Sequence, residues 1–276
     1  MQHRTVRLVF ILCTAALAAF DAAAEPAWDR EAPPRLIEDR FRLELGGWYS
    51  TFDTKLRLDP SLTVKGTPIN AEDDLGLAST QVIPLPELTL LPGNRHIVRL
   101  SAMSVRRHAE HTLDKTIVFD KDVYHAIERV DSELNLSMLG ITYGYRIVRA
   151  QRAELAATFG LQISEVEANV VVRSRSIRQS ESGVGPLPML GLEGRWDFSS
   201  RWSIEGRIQY ITANVSQIKG TGNNWRLATT WRMNPHLLFG LGFRKLSIQV
   251  DSEEPGTPGN LDYQQSGPEL YLRASL

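Results

Sequence analysis

Residues 201–210 read RWSIEGRIQY, and the order of residue types in this stretch decides the fold. Side chains alternate across an extended chain, so Arg201, Ser203, Glu205, Arg207 and Gln209 share one face and Trp202, Ile204, Gly206, Ile208 and Tyr210 the other. Such a strand has one wet side and one apolar side. Alternation by itself leaves open whether the apolar side meets a protein core or lipid.

The same pattern recurs on both flanks. WRLATTWR (225–232) sets Trp225, Leu227, Thr229 and Trp231 against Arg226, Ala228, Thr230 and Arg232, and LLFGLGFR (237–244) sets Leu237, Phe239, Leu241 and Phe243 against Leu238, Gly240, Gly242 and Arg244. In the closing PELYLRASL (268–276), Leu270, Leu272, Ala274 and Leu276 oppose Glu269, Tyr271, Arg273 and Ser275. Runs of this kind, bounded by turn signals, predict ten strands at 40–53, 79–91, 94–109, 129–148, 152–172, 183–197, 200–216, 222–233, 236–251 and 261–275. Connections near 92–94, 149–151, 197–200 and 233–235 are tight. Those at 54–78, 110–128, 173–183 and 252–260 are long and polar, with 217–221 a short member of that set. An even strand count with short turns at one end and long loops at the other is the layout of a transmembrane barrel. Pro84/Pro86 and Pro186/Pro188 fall inside proposed strands and are expected to mark bulges or strand ends above the bilayer, and the apolar phase changes at Met138/Leu139 and Arg244/Lys245 are expected to mark bulges.

Aromatic residues settle which way the apolar face points. Tyr145, Trp196, Trp202 and Trp231 lie near tight turns, whereas Tyr210 and Trp225 lie nearer the loop ends, which gives two girdles. From Trp202 to Tyr210 is eight steps, or roughly 20 Å of rise at ~3.3 Å per residue and a tilt of ~40°, close to the ~25 Å apolar band of a membrane barrel. A secreted sandwich or lipocalin-like barrel would leave aromatics at both ends of the apolar face unexplained. The fold class is therefore all-β, a single transmembrane antiparallel up-and-down β-barrel of about ten strands.

The beginning of the chain fits that destination. A basic stretch to Arg7, an apolar run from Leu8 to Phe20 and the small residues Ala22, Ala23 and Ala24 have the three-part layout of a secretory signal peptide. The apolar run is too short for a spanning helix, which needs ~20 residues. The expected division is a signal peptide at 1–24, a flexible, proline- and charge-rich periplasmic segment at 25–39 and an outer-membrane barrel at 40–276. The sole cysteine, Cys13, lies in the leader, so disulfide frameworks and thiol chemistry are not expected. Without Arg4, Arg7 and Asp21 the chain keeps 29 basic and 31 acidic residues, a net charge of −2, which offers nothing to nucleic acid.

Three stretches carry a resemblance. The ending GPELYLRASL (267–276) resembles the C-terminal assembly signal of Gram-negative outer-membrane barrels, with Leu276 where that signal usually carries Phe or Trp. Together with EDDLGL (72–77), PLPMLGLEG (186–194) and LDY (261–263), it resembles a group of bacterial outer-membrane β-barrel proteins without an assigned activity. The resemblance implies location in the bacterial outer membrane, contact with its lipids and lipopolysaccharide, and handling by the barrel assembly machinery. It implies no cofactor.

Alternation places charges of both signs on the inward faces: Arg42, Glu44, Arg99, Glu133, Glu154, Glu193, Arg195, Glu205, Arg207, Arg226, Arg232, Arg244, Glu269 and Arg273. Ten strands enclose a narrow interior, so these side chains are expected to pair and fill it. The expected role is structural or at the envelope surface, or that of a minor passive conduit. A small-solute porin is the alternative, and replacing Glu205, Arg207 and Arg226 by Ala is expected to open a water path. An omptin-like hydrolase is the rival class, with Asp73, Asp74, His108, His111 and His125 at the loop end as candidates, but no Asp-x-His pair is present and no enzyme is expected. The acidic loop with Asp251, Glu253, Glu254 and Asp262 lacks calcium-loop spacing, so no metal site is expected. Arg106 and Arg107 are candidates for contact with lipid phosphates.

Overall fold

The computed structural model describes residues 40–119, 122–124, 126–172, 177–215, 217–253 and 258–276. The expected signal peptide and periplasmic segment lie outside them. Ten long strands form the wall: β1 (Phe41–Leu58), β3 (Thr80–Leu90), β4 (His96–Thr112), β7 (Arg129–Arg149), β8 (Ala153–Val172), β9 (Ile177–Asp197), β10 (Trp202–Val215), β11 (Ile218–Arg232), β12 (Leu237–Ser252) and β13 (Gly259–Ser275). Each pairs antiparallel with the next, and β1 pairs with β13 from Arg42↔Ser275 to Leu58↔Gly259, which closes the barrel. A short β2 (Ile69–Asn70) lies against β1, and β5 (Ile117–Phe119) pairs with β6 (Asp122–Tyr124) as a small hairpin.

Several strands outrun their expected bounds at the loop end. β1 continues to Leu58, and β9 begins at Ile177 inside the stretch expected to be a loop at 173–183. β11 begins at Ile218, inside the stretch expected to be a loop at 217–221. β13 begins at Gly259, inside the loop expected at 252–260. Polar sequence above the apolar band is still strand, because pairing across a ladder satisfies the backbone whatever the side chains are.

The outward face carries an apolar band of constant height. Trp202 to Tyr210 on β10, Phe41 to Tyr49 on β1 and Tyr145 to Ser137 on β7 each span eight steps between an aromatic and the point where aromatic or polar residues resume. Ile208, Leu192, Leu227 and Leu241 stand exposed between these limits.

The proline pairs are not bulges. Register from β1 to β3 runs unbroken from Phe41↔Leu90 to Thr51↔Thr80, straight through Pro86 and Pro84. Leu91 N donates to Arg40 O and Ser79 O accepts from Phe52 N, so the odd residues of β3 turn their backbone groups toward β1 and the even ones, including both prolines, toward β4. A proline has no N–H to give. The β3–β4 ladder accordingly runs only from Leu90↔Val98 to Glu87↔Ser101. The second pair repeats the device: Asp197 N donates to Arg152 O, so even residues of β9 face β10, and the β9–β10 ladder ends at Met189↔Ile211, next to Pro188. In its outer half the wall is thus two sheets, β4-β7-β8-β9 and β10-β11-β12-β13-β1-β3, joined at the base. The phase changes at Met138/Leu139 and Arg244/Lys245 also involve no bulge, since Met103↔Met138, Ala102↔Leu139, Arg244↔Gly267 and Lys245↔Ser266 continue in register. The one register shift in the β7–β8 ladder lies between Arg146 and Val148.

Candidate functional site

The lumen is the natural place to look for function, and two stacked layers fill it. The lower layer, toward the tight turns, is ionic. Glu44 on β1 accepts from Arg226 Nη2 at 2.6 Å and from Arg273 Nη2 at 2.7 Å, and Arg273 continues to Glu205 at 2.7 Å. Arg226 also donates to Glu269, whose second oxygen accepts from Arg244 Nε at 3.0 Å. Across the lumen, Arg207 grips Glu87 with two bonds of 2.9 Å, while Arg99 lies 2.9 Å from Glu87 and 2.7 Å from Glu193. Arg195 pairs with Asp197 at 2.8 Å. Six arginines (99, 195, 207, 226, 244, 273) thus face six carboxylates (44, 87, 193, 197, 205, 269) in one paired network, with the Arg146–Glu154 pair, Arg42 and Arg232 beside it.

Local sequence makes room for this packing. A Cβ at Gly240 would sit 2.1 Å from the ring of Tyr271, so the glycine leaves the space that this ring fills. The Arg226 guanidinium lies 4.2 Å from the centre of that ring, and Arg273 lies 5.4 Å away on the same residue. Tyr271 therefore sits against two of the paired cations and fixes their side chains by stacking.

The upper layer is apolar. Trp48, Phe52, Ile83, Val105, Leu136, Met138, Met189, Ile211, Leu246, Ile248 and Tyr263 form one buried cluster. They come from β1, β3, β4, β7, β9, β10, β12 and β13, so the cluster crosses the whole lumen. Small cavities remain among the described residues, including one of about 70 Å³ among the charges and one of about 60 Å³ between the two layers, lined by Trp48, Met138, Met189 and Leu246 together with Gln162, Gln209, Asn224 and charged groups of the ionic layer. Above the apolar layer the segment 59–79 folds over the mouth. Ile69, Ala71, Leu75 and Leu77 pack with Leu113, Ile117, Val130 and Leu134, and Arg107 ties this cap to the wall through Glu72 while donating to Thr54 Oγ1 of β1 at 2.8 Å.

Thirteen of the fourteen residues expected in the lumen network face inward. Arg42 lines the lower cavity, Arg232 is buried, and Glu154 pairs with Arg146. Glu133 does not: it faces outward, bonded to Asn135 Nδ2 at 2.8 Å and facing Asn169 Nδ2 at 3.5 Å. The error has a physical cause. Treating apolar as outward on β7 turns Leu134 and Leu136 to lipid and Glu133 inward, whereas Leu134, Leu136 and Met138 belong to the interior clusters. Sequence reasoning missed Glu87, whose flanking prolines obscured its phase with Ile83, and Arg146 and Glu72. Glu72 reaches the lumen from a loop, which alternation cannot reveal.

The expected girdle residues Tyr145, Trp196, Trp202, Tyr210, Trp225 and Trp231 all lie on the outward face. Trp202 stands 6.5 Å from Trp231 across the β10–β11 pair. Arg107 is not available to lipid phosphates, being only 3% exposed within the mouth; its neighbour Arg106 faces outward. Of the hydrolase candidates, Asp74 accepts from Asn70 N and pairs with Lys115 at 2.8 Å, Asp73 is exposed, and His108 and His111 lie on opposite faces of β4. His125 lies outside the described residues. Among the described residues no group of three His, Cys, Asp or Glu side chains could hold a metal ion.

No protein-family model matches the chain, and no curated relative matches it. Solved structures do. The outer membrane protease OmpT from Escherichia coli superposes with a TM-score of 0.53 at 9% identity, over 90% of this chain and 100% of that one. The translocator domain of autotransporter NalP from Neisseria meningitidis gives 0.42 at 9% identity over 99% and 96%, and the Ail protein of Yersinia pestis 0.38 at 9% identity over 84% and 99%. At these identities the OmpT likeness concerns the fold alone: a closed, ten-stranded antiparallel β-barrel of the outer-membrane type.

Proposed function

We propose that the protein is a bacterial outer-membrane barrel with a sealed lumen that serves a structural or surface role in the envelope. The observation that carries this reading is the pair of stacked seals, a densely ion-paired layer beneath an apolar layer contributed by eight strands. A conduit needs a continuous polar path. Either seal interrupts one, and the apolar layer interrupts it without depending on any charge. The outward apolar band supports placement in a bilayer, with lipids and lipopolysaccharide as surroundings and the assembly machinery as a partner during biogenesis.

A porin and a hydrolase are the competing readings. OmpT is a protease by name, but here Asp74 is engaged by Lys115 and Asn70, and the two described loop-end histidines point away from one another. Planar-bilayer recording on the purified barrel tests the sealed reading. The expected result is no steady conductance; large, stable channels would establish a porin. Peptide and lipid A cleavage assays on the same material are expected to show no turnover, and turnover lost on Asp74→Ala would establish the hydrolase.

A further inference from the structure

Each of the five strands that run from the tight-turn end toward the loops begins directly after a basic residue. Arg40 precedes β1, Arg95 β4, Arg152 β8, Arg201 β10 and His236 β12. The chain has 31 Lys and Arg and 6 His among 276 residues, about one position in seven, so five such placements out of five are not a matter of composition. The backbone treats the five alike. Leu91 N donates to Arg40 O, Arg146 N to Arg95 O, Asp197 N to Arg152 O, Arg232 N to Arg201 O and Ser275 N to His236 O. These bonds to the neighbouring chain hold the five residues at one level, as a ring around the tight-turn end.

No described side-chain carboxylate answers this ring. The turns at 91–95, 150–152, 198–201 and 233–236 contain neither Asp nor Glu. The acids just above them are engaged: Glu154 pairs with Arg146, and Asp197, 1% exposed, pairs with Arg195. Leu276 O, just past β13, accepts from the N–H groups of Arg40 and Phe41. Arg40, Arg95 and Arg152 are exposed, and Arg201 and His236 are half-buried. The kind of cation also differs between the two ends. The described lysines, at 55, 65, 115, 219 and 245, all lie above the apolar band, whereas the ring is built from arginine and one histidine. A guanidinium presents a planar fork that takes two phosphate oxygens at once, and an ammonium is a point charge.

Depth selects the ligand. Trp202 follows Arg201, Phe41 follows Arg40, and Tyr145 pairs with His96, the residue after Arg95. The ring therefore lies one residue beyond the aromatic girdle, at the level of lipid headgroups. Alternation alone would aim these side chains at the lumen, whose lowest inward positions already hold Arg42 and Arg232 beside the Arg146–Glu154 pair. Like charge there favours an outward course, and Arg95 takes one. Its guanidinium lies 6.0 Å from the centre of the outward Tyr145 ring, and its Nη1 donates to Arg146 O at 3.3 Å. An arginine in this position rests its stem on the girdle and offers its head to the headgroup layer.

We infer that the ring is a binding surface for the phosphates of anionic phospholipids in the periplasmic leaflet, engaged chiefly by Arg95, Arg152 and Arg201. The inference rests on the membrane placement proposed above and adds to it a lipid class and a leaflet. Attraction of arginines to an anionic leaflet decays within a Debye length, so a preference for anionic over zwitterionic lipid fades at high salt.

The test reads tryptophan quenching in symmetric phosphatidylcholine vesicles that contain a minor share of acyl-brominated phosphatidylglycerol or of equally brominated phosphatidylcholine. Trp28→Phe with Trp225→Phe leaves Trp196, Trp202 and Trp231 as the lipid-facing reporters, all at the tight-turn end, with Trp48 buried at 1% exposure. The expected result is quenching by both lipids, with an apparent association of the phosphatidylglycerol roughly two- to fivefold higher, which 1 M salt removes. Arg95→Gln, Arg152→Gln and Arg201→Gln together should abolish the preference and leave quenching by brominated phosphatidylcholine unchanged, which also reports that the barrel is inserted. Arg95→Gln or Arg152→Gln alone, both at exposed positions, should each lower it. Equal quenching by the two lipids in the parent barrel would overturn the ring while leaving the membrane placement standing, and quenching by neither would overturn the placement. A preference that survives the triple substitution would overturn the assignment to these arginines. One that appears only after removal of residues 25–39, which carry five acids and two arginines, would make that segment the occupant and overturn the lipid.

Discussion

Glu44→Gln is the sharpest perturbation of the ionic layer. The Glu44 carboxylate is 5% exposed and lies within 2.6 Å of Arg226 and 2.7 Å of Arg273. At an effective dielectric of ~20, each charge pair near 4 Å contributes a gross attraction of ~4 kcal/mol, and the substitution removes two of them. Against that loss stands the desolvation of the carboxylate, which the variant no longer bears. Breaking one partner out of a buried ionic group costs a net ~3–5 kcal/mol, because the remaining cation is left uncompensated. Arg226 retains Glu269 and Arg273 retains Glu205, which holds the expected loss at the lower end of that range. Adding Arg273→Gln rebalances the layer, so the double variant should be more stable than the two single losses predict when summed, by roughly 0.5–3 kcal/mol. Urea unfolding in lipid vesicles, followed by tryptophan fluorescence, measures all four states. A Glu44→Gln loss below ~1 kcal/mol, of the size found for exposed pairs, would show that water already fills the lumen and would refute the buried-network argument.

Ile208→Arg places a charge in the middle of the outward band and should cost ~2–4 kcal/mol, whereas Leu62→Arg on the exposed cap should stay within ~0.5 kcal/mol; equal losses in the vesicle assay would contradict the outward assignment. Replacing Glu205, Arg207 and Arg226 together by Ala, which the sequence alone leads one to expect would open a water path, should instead leave conductance at zero, because the apolar layer above them is intact. A step to steady conductance in that triple variant would mean that the charges are the only seal. Met138→Ala opens space beside Trp48 in the apolar cluster and should cost ~2–5 kcal/mol by the same unfolding measurement; a loss under ~1 kcal/mol would show that the cluster is loosely packed and wet.

Most of the wall was legible in the sequence because a two-residue period leaves a signature that charges and aromatics both report. RWSIEGRIQY is clear for a specific reason: its inward side is polar and its outward side apolar, so the two faces cannot be confused. The same rule fails at ELNLSML (133–139). There the lumen itself is apolar, and Leu134 and Leu136 read as lipid-facing when they face inward. What changes along β7 at Met138/Leu139 is the chemistry of the two environments. The strand itself does not slip. The prolines of PLPEL (84–88) and PLPML (186–190) carry the missing information, since each pair silences one seam and lets the outer half of the barrel behave as two sheets packed on a core. A lumen that changes from ionic to apolar is what such a change of architecture requires. The charged layer lies where the ladder is closed all the way round, and the apolar layer lies where the two sheets must be held together by burial in place of hydrogen bonds.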